Sequence, residues 1–384
     1  MNLLLKRETN YPALEKVFLT AWTVYSVYFL YLTISELPFV FPVLQGGNSL
    51  LFYPALAVLA LAFVFVGKMP WKKFAALAAF MALVAAIELQ HINGTFLIMA
   101  MFMVAAQFVD MRRFMRYDML LKLGMLLSIL LLYAAGVLPE SGFENKHALG
   151  FTHPNLSTVL PLTILAQWLC LRFHKMRAWE WAAVFLLFAG VLFVCGGRTT
   201  AYTFLLIYVL FLAAKRYPKV IYSKTSKAAF VVATPLMAAA SYITGILYRQ
   251  GSAWMDALNR WLSTRPYWID RFLRDYDIRL FGQEVVVRGD RTAALTGLEI
   301  LSLDNAYIRL LLERGVVYFA VFCVVYSLVF YKLLERKKAE WALFALFFII
   351  VGFGENYMSM IFFNISLLYF LGTDNIPPEP DTAP

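Results

Sequence analysis

The chain has few charged residues and few of the side chains on which soluble catalytic centres depend. Only 15% of its 384 residues are charged and 61% are hydrophobic, whereas soluble domains have about 25% and about 45–50%. This composition excludes an ordinary soluble protein. Apolar runs of roughly 15–20 residues, enough to cross a hydrocarbon core with help from their flanks, recur along the whole sequence. We therefore predict an all-α, polytopic integral membrane protein, and we expect no cleavable signal peptide.

Cysteine and histidine are scarce as well. The three cysteines, Cys170, Cys195 and Cys323, lie inside apolar runs and lack the close spacing of a metal knuckle or redox motif. No histidine follows His174. Phosphate-binding glycine loops, the HExxH motif and a nucleophile elbow are also missing. We therefore expect a mechanism that uses neither a metal nor a cofactor.

Positive charge alternates along the connections between the apolar runs. Basic segments such as "RFHKMR" and "YKLLERKK" recur at every second connection, while segments such as "HINGT" and "ENYMS" contain little Lys or Arg. Basic loops are cytoplasmic by the positive-inside rule, so the net charge of +10 reflects orientation in a membrane and not nucleic-acid binding. The pattern predicts about twelve transmembrane helices with both termini inside, at about 17–35, 50–67, 74–90, 95–109, 119–137, 155–173, 180–195, 199–214, 228–247, 315–333, 341–354 and 359–372. Residues 1–384 form one membrane domain, which ends in a short disordered cytoplasmic tail at 373–384.

One predicted outer connection, residues 249–303 between spans 9 and 10, is long and highly charged. Together with the start of the next helix it contains no lysine but ten arginines: Arg249, Arg260, Arg265, Arg271, Arg274, Arg279, Arg288, Arg291, Arg309 and Arg314. Guanidinium groups grip phosphate or carboxylate through two parallel hydrogen bonds. Nine acidic residues in the same stretch can pair with most of these arginines in a folded surface lid, which leaves one to three for an anionic ligand. Aromatic residues alternate with the arginines, so we predict amphipathic helices on the membrane surface.

Two polar groups sit at predicted outer ends of spans. His153 and Asn155 open the sixth span around Pro154, where they fit a helix cap and equally the wall of a binding site. Arg198 follows Gly196 and Gly197 at the start of the eighth span, where the helix dipole and the positive-inside rule both disfavour a cation. An anion bound at this helix start would explain the arginine; the alternative is an arginine that snorkels to lipid phosphate.

Two further features lie in and after the long loop. Asp304 fits the cap of the helix that follows, and it also fits a carboxylate that takes a proton from a hydroxyl group. Trp268 belongs to the aromatic residues that fit either an interfacial belt or a stacking surface for a sugar ring.

Taken together, these residues resemble the O-antigen ligase and polymerase superfamily of bacterial membrane proteins. The motifs are "HPN" at 153–155, the arginine of "GGRTTAY", the "LNRWLSTR…LFG" run at 258–282 and "DNAYIRLLLERG" at 304–315. They cover about residues 145–375. The ligases carry a histidine where this chain has Asp304, which favours the polymerases of capsular or exopolysaccharide.

The resemblance implies a metal-independent, inverting glycosyltransferase in the bacterial cytoplasmic membrane, with its active site on the extracytoplasmic face. Its substrates would be donor and acceptor oligosaccharides linked to undecaprenyl pyrophosphate. A flippase and a chain-length regulator are further partners that this role implies, besides the lipid bilayer. We expect Asp304, Arg198 and Arg265 to be catalytic, and His153, Asn155, Arg260, Asn305, Tyr307 and Trp268 to bind substrate.

Two other functions remain open. A ligase would move finished glycan to a different acceptor, such as a lipid core or a protein. A flippase or other exporter of lipid-linked sugars would line a cavity within the spans with charge. Here the ionisable groups gather at the outer surface, and Glu88 and Glu355 are among the few acids near span ends.

Overall fold

The protein is an all-α membrane protein, as predicted. The computed structural model describes residues 12–46, 71–88, 95–140, 146–289, 293, 296–373 and 376, and within them the regular secondary structure is helical apart from two isolated β-bridges. The helices are α1 (Pro12–Val27, continued by a π-helix at Tyr28–Ile34), α2 (Leu37–Val40), α3 (Trp71–Glu88), α4 (Thr95–Ala105), α5 (Met111–Ala134), α6 (Pro154–Arg172), α7 (Ala178–Cys195), α8 (Arg198–Arg216), α9 (Pro218–Ile221), α10 (Lys224–Arg249), α11 (Ala253–Trp261), α12 (Arg265–Asp275), α13 (Ala306–Glu335), α14 (Ala339–Val351) and α15 (Tyr369–Gly372).

Seven of these segments are long and apolar enough to cross a membrane, and each coincides with a predicted span. They are Leu14–Ile34, Met111–Ala134, Pro154–Lys175, Ala178–Cys195, Arg198–Arg216, Lys224–Arg249 and Ala306–Glu335. Three other predicted spans coincide with shorter apolar helices, Ala78–Glu88, Phe96–Phe108 and Ala339–Val351. The predicted span at 50–67 lies outside the described residues, as does the predicted tail from residue 377 onward. The total of twelve spans therefore stays a prediction.

The predicted twelfth span, 359–372, is not one continuous helix. Two short helices, Ile365–Leu368 and α15, stand in its place. Before them, the buried Asn364 donates hydrogen bonds through Nδ2 to the Tyr326 hydroxyl at 2.8 Å and to the Met358 carbonyl at 2.7 Å. Irregular backbone at membrane depth is tolerated where protein surrounds it and satisfies its polar groups, and this segment meets that condition.

Helix α14 occupies the centre of the fold. It is only 13 residues long, about 20 Å, and it is apolar on every side, which is typical of a helix with no lipid-facing or water-facing side. All its residues except Ile350 are buried, and α6, α8, α10 and α13 pack around it. Because α14 ends just before Glu355, this central helix positions the Glu355 carboxyl group at the candidate site.

The long loop is anchored in a break of α13. Gly315 has a left-handed φ of 81°, and the N–H groups of Val316 and Val317 after it donate to the carbonyls of Arg279 and Leu280 at 3.0 and 3.1 Å. A side chain at Gly282 would lie 2.1 Å from the Glu313 carbonyl oxygen. The loop and the helix can approach this closely because both positions are glycine. The break at Gly315 divides α13 into an outer piece, which contains the start of the helix, and a membrane piece.

A buried polar network joins α1, α5 and α6. The Asp118 carboxylate accepts hydrogen bonds from Trp22 Nε1 at 2.8 Å, from Lys122 Nζ at 2.6 Å and from Gln167 Nε2 at 2.6 Å. Neither Asp118 nor Lys122 is exposed. The pair carries no net charge, and three donors satisfy the carboxylate, which is the condition under which a buried ion pair is tolerated.

We expect each single neutralisation of this pair to destabilise the protein more than the double one. Asp118→Asn or Lys122→Met leaves one buried charge without its partner, a loss of about 3–5 kcal/mol, whereas Asp118→Asn combined with Lys122→Met removes both charges. Thermal unfolding of the purified variants in one detergent measures the difference. Arg113→Ala, which breaks the exposed Arg113–Glu15 pair, serves as the control and should change little. Single variants as stable as the double variant would contradict the prediction.

Candidate functional site

Four helices begin around a single cleft of about 630 Å³. Residues at or just before the N-termini of α6, α8, α12 and α13 provide most of its wall: His153, Asn155, Leu156, Gly196, Arg198, Thr199, Ser263, Thr264, Arg265, Trp268, Ser302 and Asp304. Lys146, Gly289, Ile300, Glu355 and Tyr357 complete it. Helix N-termini carry partial positive charge and unpaired N–H groups. The backbone alone therefore makes the cleft favourable for an anion.

Arg198 is the first residue of α8, as predicted. Gly196 ends α7 with a left-handed φ of 69°, and Gly197 then starts α8 without a side-chain cap. A Cβ at Gly197 would lie 2.3 Å from Thr158 Oγ1, so only glycine lets α8 approach α6 this closely. Arg198 is exposed and has no ion-pair partner among the described residues. Its complete guanidinium fork is available to a ligand in the cleft.

Arg265 also lines the cleft, but protein groups hold it. It is 8% exposed and follows Ser263 and Thr264, both of which have left-handed φ angles. Its Nε donates to the Gly354 carbonyl, Nη1 donates to the Leu262 carbonyl at 3.0 Å, and Nη2 donates to Glu355 Oε1 at 2.5 Å. A guanidinium has five N–H donors, so two remain without a described partner. Arg265 is a fixed cation with limited capacity for a ligand.

Glu355 is a site residue that the sequence analysis did not assign to the cleft. It is buried in the connection after α14, where Arg265 donates to it and Asn155 Nδ2 donates to both its oxygens at 3.0 and 3.2 Å. The pKa of this carboxyl group is raised to about 7: burial is the main cause, the Arg265 guanidinium opposes the shift, and the nearby Asp304 contributes to it. An acid directly after "GFG", at the end of an otherwise apolar helix, is the signal that could have identified it.

Asp304 lines the cleft but does not cap α13, so the cap interpretation is wrong. The cap is Asn305, whose side-chain oxygen accepts a hydrogen bond from the Ile308 N–H at 2.9 Å. Asp304 lies one residue before it, and its Oδ1 accepts a hydrogen bond from the Ser302 hydroxyl at 3.2 Å. Because another residue caps the helix, the Asp304 carboxylate can act on a ligand in the cleft.

Three residues expected to bind substrate lie elsewhere. Asn305 Nδ2 donates to Ser241 Oγ at 2.9 Å and to the Phe353 carbonyl at 2.7 Å. Tyr307 is fully buried and donates to the Ile349 carbonyl at 2.6 Å. These two side chains fix the start of α13 against α10, α14 and the turn after α14. Arg260 is exposed on α11 and does not line the cleft.

His153 and Trp268 do line the cleft, as expected. His153 Nδ1 accepts a hydrogen bond from the Asn155 N–H at 3.1 Å, so the histidine is both the cap of α6 and part of the wall. The Arg271 guanidinium lies over the Trp268 ring, 5.5 Å from its centre, and Glu299 holds that guanidinium through bonds of 2.6 and 2.9 Å. The bidentate ion pair between Arg271 and Glu299 therefore fixes the position of the Trp268 ring.

The sequence predicts that acids of the same stretch pair with most of the ten arginines, but among the described residues they pair with four, and Arg265 and Arg314 pair with Glu355 and Glu88 outside the stretch. With those two included, most of the arginines pair with acids. Six of the ten do so: Arg249 and Arg274 with Asp270, Arg271 with Asp275 and Glu299, Arg309 with Glu313, Arg265 with Glu355, and Arg314 with Glu88. Arg291 lies outside the described residues. Within the part of the chain that the structure describes, no three His, Cys, Asp or Glu side chains are grouped as metal ligands would be.

The pKa of Glu355 leads to a prediction about stability and pH. A carboxyl group whose folded-state pKa lies near 7 keeps its proton in the folded protein while the unfolded chain loses it above about pH 4.5, so stability falls as the pH rises from about 4.5 to about 7. Compared with Glu355→Gln, the wild type should therefore lose roughly 3 kcal/mol or less of unfolding free energy between pH 5 and pH 8. Thermal unfolding at both pH values measures this difference. Glu284→Gln, at an exposed loop position, should follow the wild type, and a wild type that gains stability over Glu355→Gln with rising pH would contradict the prediction.

Three comparisons place this geometry against known proteins. No protein-family model, no curated protein and no solved structure matches the chain. The resemblance to the O-antigen ligase and polymerase superfamily therefore rests on the sequence motifs alone. Residues from all four motifs line the one cleft: His153 and Asn155, Arg198, Arg265, and Asp304.

Proposed function

We propose that the protein is a polysaccharide polymerase that joins oligosaccharide repeat units linked to undecaprenyl pyrophosphate. One observation carries the proposal: four helix N-termini, the cations Lys146, Arg198 and Arg265 and the carboxyl groups of Asp304 and Glu355 meet in one cleft. The positive groups suit a pyrophosphate, and the carboxylates suit activation of a hydroxyl group. The cleft volume falls in the range of small-ligand sites, about 300–1,000 Å³.

The distribution of charge along the helices supports an outward-facing cleft. Helices α6, α8 and α13 all begin at the cleft, and their opposite ends are basic, with Arg172, Lys215 and Lys332 in their last turns. Basic helix ends lie on the cytoplasmic side of membrane proteins. The cleft then opens to the extracytoplasmic face of the bacterial cytoplasmic membrane, where lipid-linked repeats would meet it.

The proposed reaction is an inverting transfer at the anomeric carbon of the donor. Asp304 accepts the proton of the acceptor hydroxyl, whose oxygen attacks the anomeric carbon from the face opposite the pyrophosphate. The bond between that carbon and the pyrophosphate oxygen breaks, and its electron pair leaves with undecaprenyl pyrophosphate. Arg198, Arg265 and the start of α8 stabilise the charge that develops on this leaving group.

Glu355 positions the catalytic groups in this mechanism. It holds Arg265 from α12 and Asn155 from α6 at once, so it sets the distance between two walls of the cleft. Because Glu355 is paired with Arg265, its carboxylate offsets part of the Arg265 charge, and Arg198 provides the larger share of the positive charge at the pyrophosphate.

The proposal predicts that Arg198→Lys fails although it keeps the positive charge. An ammonium group cannot form the two parallel bonds of a guanidinium to phosphate, so chain elongation should fall at least about tenfold, roughly the value of one charge-assisted hydrogen bond. The assay supplies lipid-linked repeats on one side of sealed vesicles that contain the purified protein, and follows polymer length.

The control for this assay is Arg216→Lys, at the opposite end of the same helix, which should elongate as the wild type does. Relocation of lipid-linked sugar without elongation by the wild type would indicate a transporter, and glycan found on a different acceptor would indicate a ligase. Wild-type chain lengths from Arg198→Lys at equal protein level would remove the pyrophosphate role of Arg198.

Asp304→Asn should reduce elongation by about 10²–10⁴-fold, because general base catalysis is typically worth that factor. The amide keeps the size of the side chain, and Asn305 rather than Asp304 caps α13, so folding should be unaffected. Asp256→Asn, an exposed position on α11 outside the cleft, is the matched control. Elongation by Asp304→Asn at the rate of this control would mean that Asp304 is not the base.

A further inference from the structure

Lys146 is a cleft residue to which the reaction described above gives no step. The long outer loop contains no lysine, and Lys146 is the one lysine in the connections predicted to be extracytoplasmic. It lies half-buried in the wall of the cleft that also contains Arg198. A cation on the outer side opposes the positive-inside rule, so orientation in the membrane does not explain it.

The backbone next to Lys146 is fixed in place. The N–H of Ala148 donates to Glu140 Oε1 at 2.5 Å, and the His147 carbonyl accepts from the Ser157 hydroxyl at 2.9 Å. Further along, the Thr152 N–H donates at 3.0 Å to the carbonyl of Ile34, the last residue of the π-helix. The segment is thus attached to α6, to the π-helix that continues α1 and to Glu140 in the connection after α5, and Lys146 lies at the cleft in a defined position.

Glu140, the acid of this segment that the structure describes, is already engaged. Glu140 accepts from Ala148 through Oε1 and from the Tyr133 hydroxyl through Oε2 at 2.7 Å. Glu355, the buried acid of the cleft, pairs with Arg265. Among the described residues Lys146 has no ion-pair partner. Two such cations, Lys146 and Arg198, line the cleft together with the start of α8, which has no side-chain cap, and all three would stabilise an anion in the cleft.

We propose that Lys146 binds a phosphate group of the pyrophosphate-linked substrate, together with Arg198. This inference rests on the proposed function and adds a substrate-binding residue to it. The two cations have different chemistry: Arg198 offers a planar fork, and Lys146 offers a point charge on a flexible stem with three donors. A point charge tolerates replacement by another cation. Lys146→Arg should therefore still bind the pyrophosphate-linked substrate, whereas Arg198→Lys should not.

The test measures binding of undecaprenyl pyrophosphate to the purified full-length protein in detergent. Lys146→Ala should bind about tenfold more weakly, roughly the value of one charge-assisted hydrogen bond, and Lys146→Arg should remain within about threefold of the wild type. His147→Ala is the matched control, because its side chain is 60% exposed and faces Glu140; it should bind as the wild type does. Thermal unfolding verifies that each variant is folded.

The outcomes separate the inference from the proposed function. A wild type that does not bind undecaprenyl pyrophosphate would overturn both. A wild type that binds, with Lys146→Ala within twofold of it, would overturn the role of Lys146 and leave the proposed function intact. Lys146→Arg as weak as Lys146→Ala would overturn binding through charge. An equal loss with inorganic pyrophosphate would support recognition of the anion itself rather than its lipid carrier.

Discussion

The buried contact between Arg265 and Glu355 connects the parts of the molecule that form the cleft. Arg265 belongs to the long loop, Glu355 follows the central helix α14, and Asn155 binds the same carboxylate from α6. Removing one partner of a buried ion pair leaves an uncompensated charge and is strongly destabilising. The loop therefore cannot separate from the bundle without breaking this pair, which would destabilise the protein. The cleft therefore depends on this ion pair structurally, whether or not the pair takes part in a reaction.

The electrostatics of the cleft follow from how the bundle is arranged. Helix starts from α6, α8, α12 and α13 meet there, and each adds partial positive charge. His153 and Asn305 cap two of these starts with side-chain acceptors, while α8 has only Gly197 at its start. The starts of α8 and α12 have no such cap, and their first residues are Arg198 and Arg265. These two starts add uncapped N–H groups and guanidinium charge to the same cleft, which favours an anionic ligand.

The sequence was informative where a residue's function depends on its position along a helix. Gly196 and Gly197 mark the turn before Arg198, and Pro154 marks the start behind His153, so both residues could be assigned to helix starts directly. Asn305 and Tyr307 follow Asp304 directly in the sequence but do not line the cleft, because each step along a helix turns the side chain by about 100°. Glu355 was not assigned to the cleft because its partner Arg265 is 90 positions away. Contacts at such separation depend on tertiary packing, which periodicity does not encode.

The break at Gly315 affects how the protein can respond to its membrane. The piece of α13 after the break runs from residue 316 to Glu335, about 30 Å, which matches the hydrocarbon thickness of a typical bilayer. In a thinner bilayer a helix of this length adapts by tilting. In a continuous α13 that tilt would swing Asp304 through the cleft. The loop holds the outer piece through the Gln283 N–H, which donates to the Leu312 carbonyl at 3.2 Å, so the glycine is the point at which a tilt of the membrane piece can be absorbed before it reaches Asp304.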